Sequence, residues 1–137
     1  MKWFIIIATI MMVYDAEAKY LFDITILNSP KLKAVEVNTL ALQAGFSIKE
    51  AKTMTCIAEK ESNFRTKIIS KKNTNHTKDY GLMQINTVWL EKCQSNLYSI
   101  LHPETNMKCA KLIHSKQGFR AWAAYKKHKH YCKGYVI

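Results

Sequence analysis

CIAEKESNFRTKIISKKNTNHTKDYGLMQIN, residues 56–86, sets a glutamate, Glu61, at the end of one apolar-periodic run and an aspartate, Asp79, eighteen residues later at the start of another. Between them lies a loop rich in Asn, Thr and Lys. Two carboxylates on facing walls of a cleft are what glycoside hydrolysis requires: one protonated, to give a proton to the leaving oxygen, the other ionised, to attack or stabilise the sugar cation. The first run has helical spacing. Residues three and four positions apart share a helix face. Counting back from Glu61 meets Ala58, Ile57 and Met54, all apolar. Counting back from Glu59 meets Cys56, Thr55 and Lys52, a mostly polar set. Glu61 is therefore expected to point inward and Glu59 outward. Burial among apolar neighbours disfavours the charged form of a carboxyl group, which makes Glu61 the candidate acid. Asp79 follows the polar run NTNHTK, where hydrogen bonds and water favour an ionised carboxylate.

The length of 137 residues fits one domain. Met1-Lys2 is a short basic start, Phe4–Val13 (FIIIATIMMV) is an apolar run, and Ala16-Glu17-Ala18 offers small residues where a signal peptidase reads. The run is too short for a stable membrane anchor. Residues 1–18 are expected to be a secretory signal peptide and residues 19–137 the domain, with no transmembrane segment. Without Lys2, Asp15 and Glu17 the net charge of +11 becomes +12. So basic an exported chain is expected to gather on anionic surfaces such as bacterial envelopes. No nucleic-acid-binding motif is present, so nucleic acid is not an expected partner. Four cysteines, at 56, 93, 109 and 132, remain in the domain. An even count in a secreted chain implies two disulfides, with three connectivities open. None of the spacings is a zinc pattern, and the basic run KKHKHYCK, with His128 and His130, reads as a solvated patch.

Along the chain, Lys19–Asn28 reads as an extended arm. Ser29-Pro30 is a helix start, with Ser as cap and Pro in the first turn, and Leu32, Val35, Val37, Leu40, Ala41 and Ala44 form its apolar face up to Gly45. Ser47-Ile48-Lys49-Glu50 is a capping box opening a second helix, which runs to about Glu61. Thr66–Ser70 and Asp79–Asn86 are expected as two hairpin strands, with a bend at Gly81 to bring Asp79 and Gln84 to one cleft. A third helix is expected from about Thr105 to Gly118, with Met107, Ala110 and Ile113 inward. A short fourth over Phe119–Lys127 carries Trp122. The segment from Trp89 to Thr105 has no firm structural signal.

With these residues in place, the chain resembles a divergent c-type lysozyme over roughly residues 31–133. TCIAEKESNF (55–64), DYGLMQIN (79–86), CAKLI (109–113) and GFRAW (118–122) carry the likeness. The resemblance implies an α+β fold, with a helical lobe and a small antiparallel β lobe flanking a cleft. It implies retaining hydrolysis of the β-1,4 bond between N-acetylmuramic acid and N-acetylglucosamine by a secreted monomer acting on peptidoglycan or chitooligosaccharides. This family is the standard example of carboxylate pKa tuning in glycoside hydrolysis. Glu61 falls on the family's general acid and Asp79 on its nucleophile or cation stabiliser. Trp122 falls on the tryptophan packed against the acid. Gln84, Asn86, Trp89 and Ala121 fall on residues that contact sugar. The resemblance also favours the pairings Cys56–Cys132 and Cys93–Cys109.

The departures from the family are specific. The usual eight cysteines are halved, and the bridge from the first helix to the C-terminal tail is lost at both ends. The segment between Trp89 and Cys109 is short, Leu90 stands for a second cleft tryptophan, and Met54 replaces a core tryptophan. His102-Pro103-Glu104-Thr105-Asn106 lacks the aspartates with which some relatives bind calcium, so no metal and no cofactor is expected. Asn75-His76-Thr77 is a glycosylation sequon beside Asp79. The trimmed loop and missing bridges also motivate a second reading, a non-catalytic glycan-binding or cell-recognition protein. The strong positive charge motivates a third, direct damage to membranes.

Overall fold

The computed structural model describes residues 29–137; the expected signal peptide and the arm Lys19–Asn28 lie outside them. Four helices, α1 (Ala34–Gln43), α2 (Ile48–Ser62), α3 (Pro103–Gln117) and α4 (Ala123–Lys133), pack beside an antiparallel pair, β1 (Asp79–Tyr80) and β2 (Ile85–Asn86). This is the expected α+β arrangement of a helical lobe with a small β lobe. None of the described helices is long and apolar enough to cross a membrane.

Helix α2 is the centre of the core. Its start is the expected capping box: Ser47 Oγ accepts from the Glu50 N–H at 3.3 Å, and Glu50 Oε2 accepts from the Ser47 N–H at 2.8 Å. Met54, Ile57 and Ala58 are fully buried, as the spacing requires. The expected polar opposite face holds only in part: Lys52 is exposed and Glu59 partly so, but Thr55 and Cys56 are fully buried as well. Helix α4 covers that side, tied by the Cys56–Cys132 disulfide. Thr55 tolerates burial because its hydroxyl donates to the Ala51 carbonyl at 2.8 Å, within its own helix.

The first helix begins at Ala34, not at Ser29-Pro30. Residues 29–32 are drawn out against the chain leaving α2. The Leu32 N–H donates to Phe64 O and the Thr66 N–H to Pro30 O, both at 3.0 Å, and Ser29 Oγ accepts from Lys67 N–H at 2.9 Å. Ser29 is thus a buried acceptor rather than a cap, and Glu36 caps α1 by accepting from the Lys33 N–H at 2.6 Å. Starting later also turns Val35 out to solvent, while Val37 and Ala41 are buried.

The β lobe differs too. DYGLMQIN is itself the hairpin, with Asp79 paired to Asn86 and Tyr80 to Ile85. Gly81 (φ +72°) and Gln84 (φ +49°) reverse the chain between them. Thr66–Ser70 runs alongside and pairs only at Ile69–Tyr80. Because the stretch folds back on itself, strand alternation no longer separates Asp79 from Gln84.

Helix α3 starts at Pro103, two residues before the expected point, and stops at Gly118 (φ +64°). The expected fourth helix is broken: residues 118–121 form a 3₁₀ turn, Trp122 is extended, and α4 starts after it. Two more 3₁₀ turns are present, Thr87–Trp89 directly after the hairpin and Ser99–Leu101 within the segment that carries no sequence signal.

The second disulfide joins Cys93 to Cys109. The two bridges close loops of different length, with sequence separations of 76 and 16. Replacing Cys56 and Cys132 together by alanine is expected to cost ~2–4 kcal/mol, about 1 kcal/mol more than removing Cys93–Cys109, because the longer loop restrains the unfolded chain more. Urea midpoints of the two double variants measure this; equal losses would show that local packing outweighs loop length.

Candidate active site

An open cleft of about 260 Å³ lies between the lobes. Asp79, Gln84, Ile85 and Asn86 of the hairpin and Asn73 of the preceding loop line one wall; Ile113 and Gln117 of α3 and Ala121 and Trp122 line the other. Trp89 lines it too, from the turn after the hairpin. Leu90 is buried in the core and does not plug the cleft. Six of the seven expected catalytic and sugar-contacting residues thus border one space. The seventh, Glu61, does not line it.

Glu61 ends α2, partly buried, and its Oε1 accepts from the Ala124 N–H at 3.2 Å. Ala124 lies in the first turn of α4, two residues past Trp122, so the carboxyl group meets the positive end of that helix. Burial pushes the Glu61 carboxyl above its ordinary pKa, the Ala124 hydrogen bond pulls it part of the way back, and the negative charge of Asp79 pushes it up again. Glu59, by contrast, is partly exposed and bridges to Lys60 at 3.4 Å. Trp122 is buried, and its indole N–H donates to the Met83 carbonyl at 2.9 Å, fastening the α4 side of the cleft to the hairpin turn.

Asp79 is held by amides. Asn86 Nδ2 donates to one carboxylate oxygen at 2.8 Å and Asn73 Nδ2 to the other at 3.1 Å. Thr77 Oγ1 accepts from both amides, at 2.9 and 3.1 Å, so a single hydroxyl orients the pair. The Asp79 N–H donates to Ser70 Oγ at 2.8 Å. Gln84 is braced internally: its Nε2 donates to the carbonyls of Gly81 at 3.0 Å and Ile68 at 3.3 Å.

Sequence reasoning missed Asn73, Thr77, Ser70 and Ala124. The first three carried a signal, since an Asn- and Thr-rich loop leading into a carboxylate offers it donors. Ala124 carried none, because its contribution is a main-chain N–H that any residue but proline supplies. Behind the site, Asn106 of α3 is fully buried. Its Oδ1 accepts from the Met83 N–H at 2.8 Å, and its Nδ2 donates to the carbonyls of Tyr80 at 2.9 Å and Ile100 at 2.8 Å.

Residues 38–124 match the family described as a lysozyme like domain. Lysozyme 1 of Musca domestica is 35% identical over 92 residues, covering 58% of this chain and 62% of that protein. The milk isozyme of lysozyme C from Equus caballus is 34% identical over 110 residues, covering 72% of this chain and 81% of that one. Among solved structures, canine milk lysozyme in its apo form aligns with a TM-score of 0.67 and 26% identity, over 78% of this chain and 92% of that one. The chain therefore spans about three fifths of the fly protein's length and most of the mammalian one.

Proposed function

This chain belongs to the c-type lysozyme family, and from that premise we propose that it is an exported, retaining muramidase acting on bacterial walls. The substrate proposed is the β-1,4 bond between N-acetylmuramic acid and N-acetylglucosamine in peptidoglycan, and the role is antibacterial defence. One observation carries the reading: a partly buried carboxyl with a raised pKa stands within the field of a second carboxylate held by two amides at the wall of an open cleft.

In the proposed reaction Glu61 gives its proton to the glycosidic oxygen as the bond to the anomeric carbon breaks. Asp79 attacks or stabilises that carbon, and Glu61, now ionised, takes a proton from the water that completes hydrolysis with retention. Asn86, Asn73 and Thr77 keep Asp79 from swinging away from the sugar. Trp89 is the proposed stacking platform, Gln84 and Ala121 offer polar groups to the glycan, and Trp122 is proposed to pack against Glu61 and help keep it protonated. Residues 1–18 are the proposed export signal. The net charge of +11 favours accumulation on anionic envelopes.

The test is product analysis of digested peptidoglycan. New reducing ends on N-acetylmuramic acid support the proposal. Ends on N-acetylglucosamine would give a different specificity, and oligosaccharide binding without cleavage would leave the non-catalytic alternative.

Asn86→Ala tests the cradle of Asp79. It removes a hydrogen bond to a charged group, and kcat is expected to fall roughly 10- to 100-fold. An unchanged kcat with a raised KM would instead make Asn86 a sugar contact only.

A further inference from the structure

We propose that a second groove, opening beside Trp89, is a subsite for the acidic peptide stem carried by peptidoglycan, so that this chain reads its substrate's peptide as well as its sugars. The inference rests on the muramidase reading and extends it. The groove has a volume of about 200 Å³ and is lined by Lys92, Lys108, Gln94, Thr105 and the Cys93–Cys109 disulfide. No carboxylate lines it. The ion pairs among the described residues, Lys60–Glu59 and Lys111–Glu50, leave both Lys92 and Lys108 without an acidic partner.

Lys92 links the groove to the cleft. It lines the groove, and its ammonium group lies 5.1 Å from the centre of the Trp89 ring, while Trp89 borders the cleft that holds Asp79. One face of the indole therefore carries a cation. A glycan stacked on Trp89 would run past this ammonium, and a branch leaving it would enter a space with two cations that have no acidic partner and polar groups at Gln94 and Thr105. The carboxylates of the stem match that lining. A neutral chitooligosaccharide has nothing to place there. The shortened segment between Trp89 and Cys109 puts Lys92 next to the disulfide, with Lys108 beside the other half-cystine.

The experiment measures Kd and kcat/KM of the mature protein on three ligands: soluble stem-bearing glycan, the same glycan stripped by an amidase, and chitohexaose. The variants are Lys92→Gln, Lys108→Gln, the double variant, Lys92→Arg, and Lys129→Gln as an exposed cation away from the groove. The preference for stem-bearing glycan over chitohexaose is expected to fall about threefold for either lysine and roughly tenfold for both, with Lys92→Arg retaining most of it. An unchanged preference in the double variant would overturn the proposal, as would an equal fall in Lys129→Gln, which would show general charge attraction. If the stripped glycan suffers the same fall, the recognised carboxylate is the lactyl group on the sugar, and the stem assignment is wrong. Should the wild-type protein cleave none of the ligands, the muramidase reading fails, while the Kd ratios still decide the groove.

Discussion

Glu61→Gln is expected to slow hydrolysis of a cell-wall suspension by about a thousandfold or more while leaving the fold intact, since a glutamine cannot transfer the proton a general acid supplies. The same substitution has a second, opposite consequence. Burial raises the folded-state pKa of Glu61, so between its ordinary and its raised pKa the folded chain holds a proton that the unfolded chain has released. Stability must therefore fall as pH rises through that window, and the ionised carboxyl destabilises the fold above it. Glutamine removes the charge and keeps an oxygen for the Ala124 N–H. The variant is thus expected to be more stable than wild type at neutral pH, with the gain vanishing below the ordinary glutamate pKa. Turbidity clearing together with thermal melts at pH 3.5 and 7 measures both. Clearing equal to wild type would remove the enzymatic claim. A loss of both activity and stability would show instead that Glu61 acts as a scaffold. In wild type the same titration predicts that activity declines on the alkaline side as Glu61 loses its proton.

Asn106→Leu is expected to produce the largest loss of stability of any single change away from the cysteines. Leucine fits the volume but leaves three buried main-chain groups, the Met83 N–H and the Tyr80 and Ile100 carbonyls, without their partner. Each unsatisfied buried group costs about 1–3 kcal/mol, so three of them give a total of roughly 3–9 kcal/mol. Gly81 sharpens the point, because a Cβ there would stand 2.5 Å from Asn106 Nδ2 at a φ of +72°. The hairpin turn is built around this amide, so Gly81→Ala should perturb the same place. Urea unfolding of Asn106→Leu, with Asn106→Asp as the shape-matched partner, tests it. A loss under 1 kcal/mol would mean that water or a relaxed turn replaces the amide. Because Trp122 is fastened to Met83, the partly unfolded variant should also lose activity before it loses its helices.

Much of this molecule was legible in local patterns. The Ser47–Glu50 capping box, the apolar face under Glu61, Gly118 as a helix stop and the DYGLMQIN motif all act over a few residues. Chemistry at that range depends on the neighbouring side chains alone. What escaped was set by contacts between distant segments. Ser29-Pro30 has the composition of a helix start, yet those residues spend their hydrogen bonds on Thr66 and Lys67, more than thirty positions away. Thr55 and Cys56 read as a solvent face until α4, held through Cys132, lies over them. The turn inside residues 79–86 is hidden from strand patterning, because a left-handed glutamine, which strand propensity disfavours, is stabilised by its own side chain bracing Gly81 and Ile68. The primary structure by itself determined which two carboxylates are present, which of them has apolar neighbours, and that a helical lobe and a small β lobe would carry them. Only the tertiary structure decided that Asn73, Thr77 and Asn86 converge on Asp79, that the start of α4 meets Glu61, and that Lys92 reaches over Trp89. Side-chain type and helical spacing are local quantities, whereas the meeting of groups from separate segments depends on how the whole chain packs.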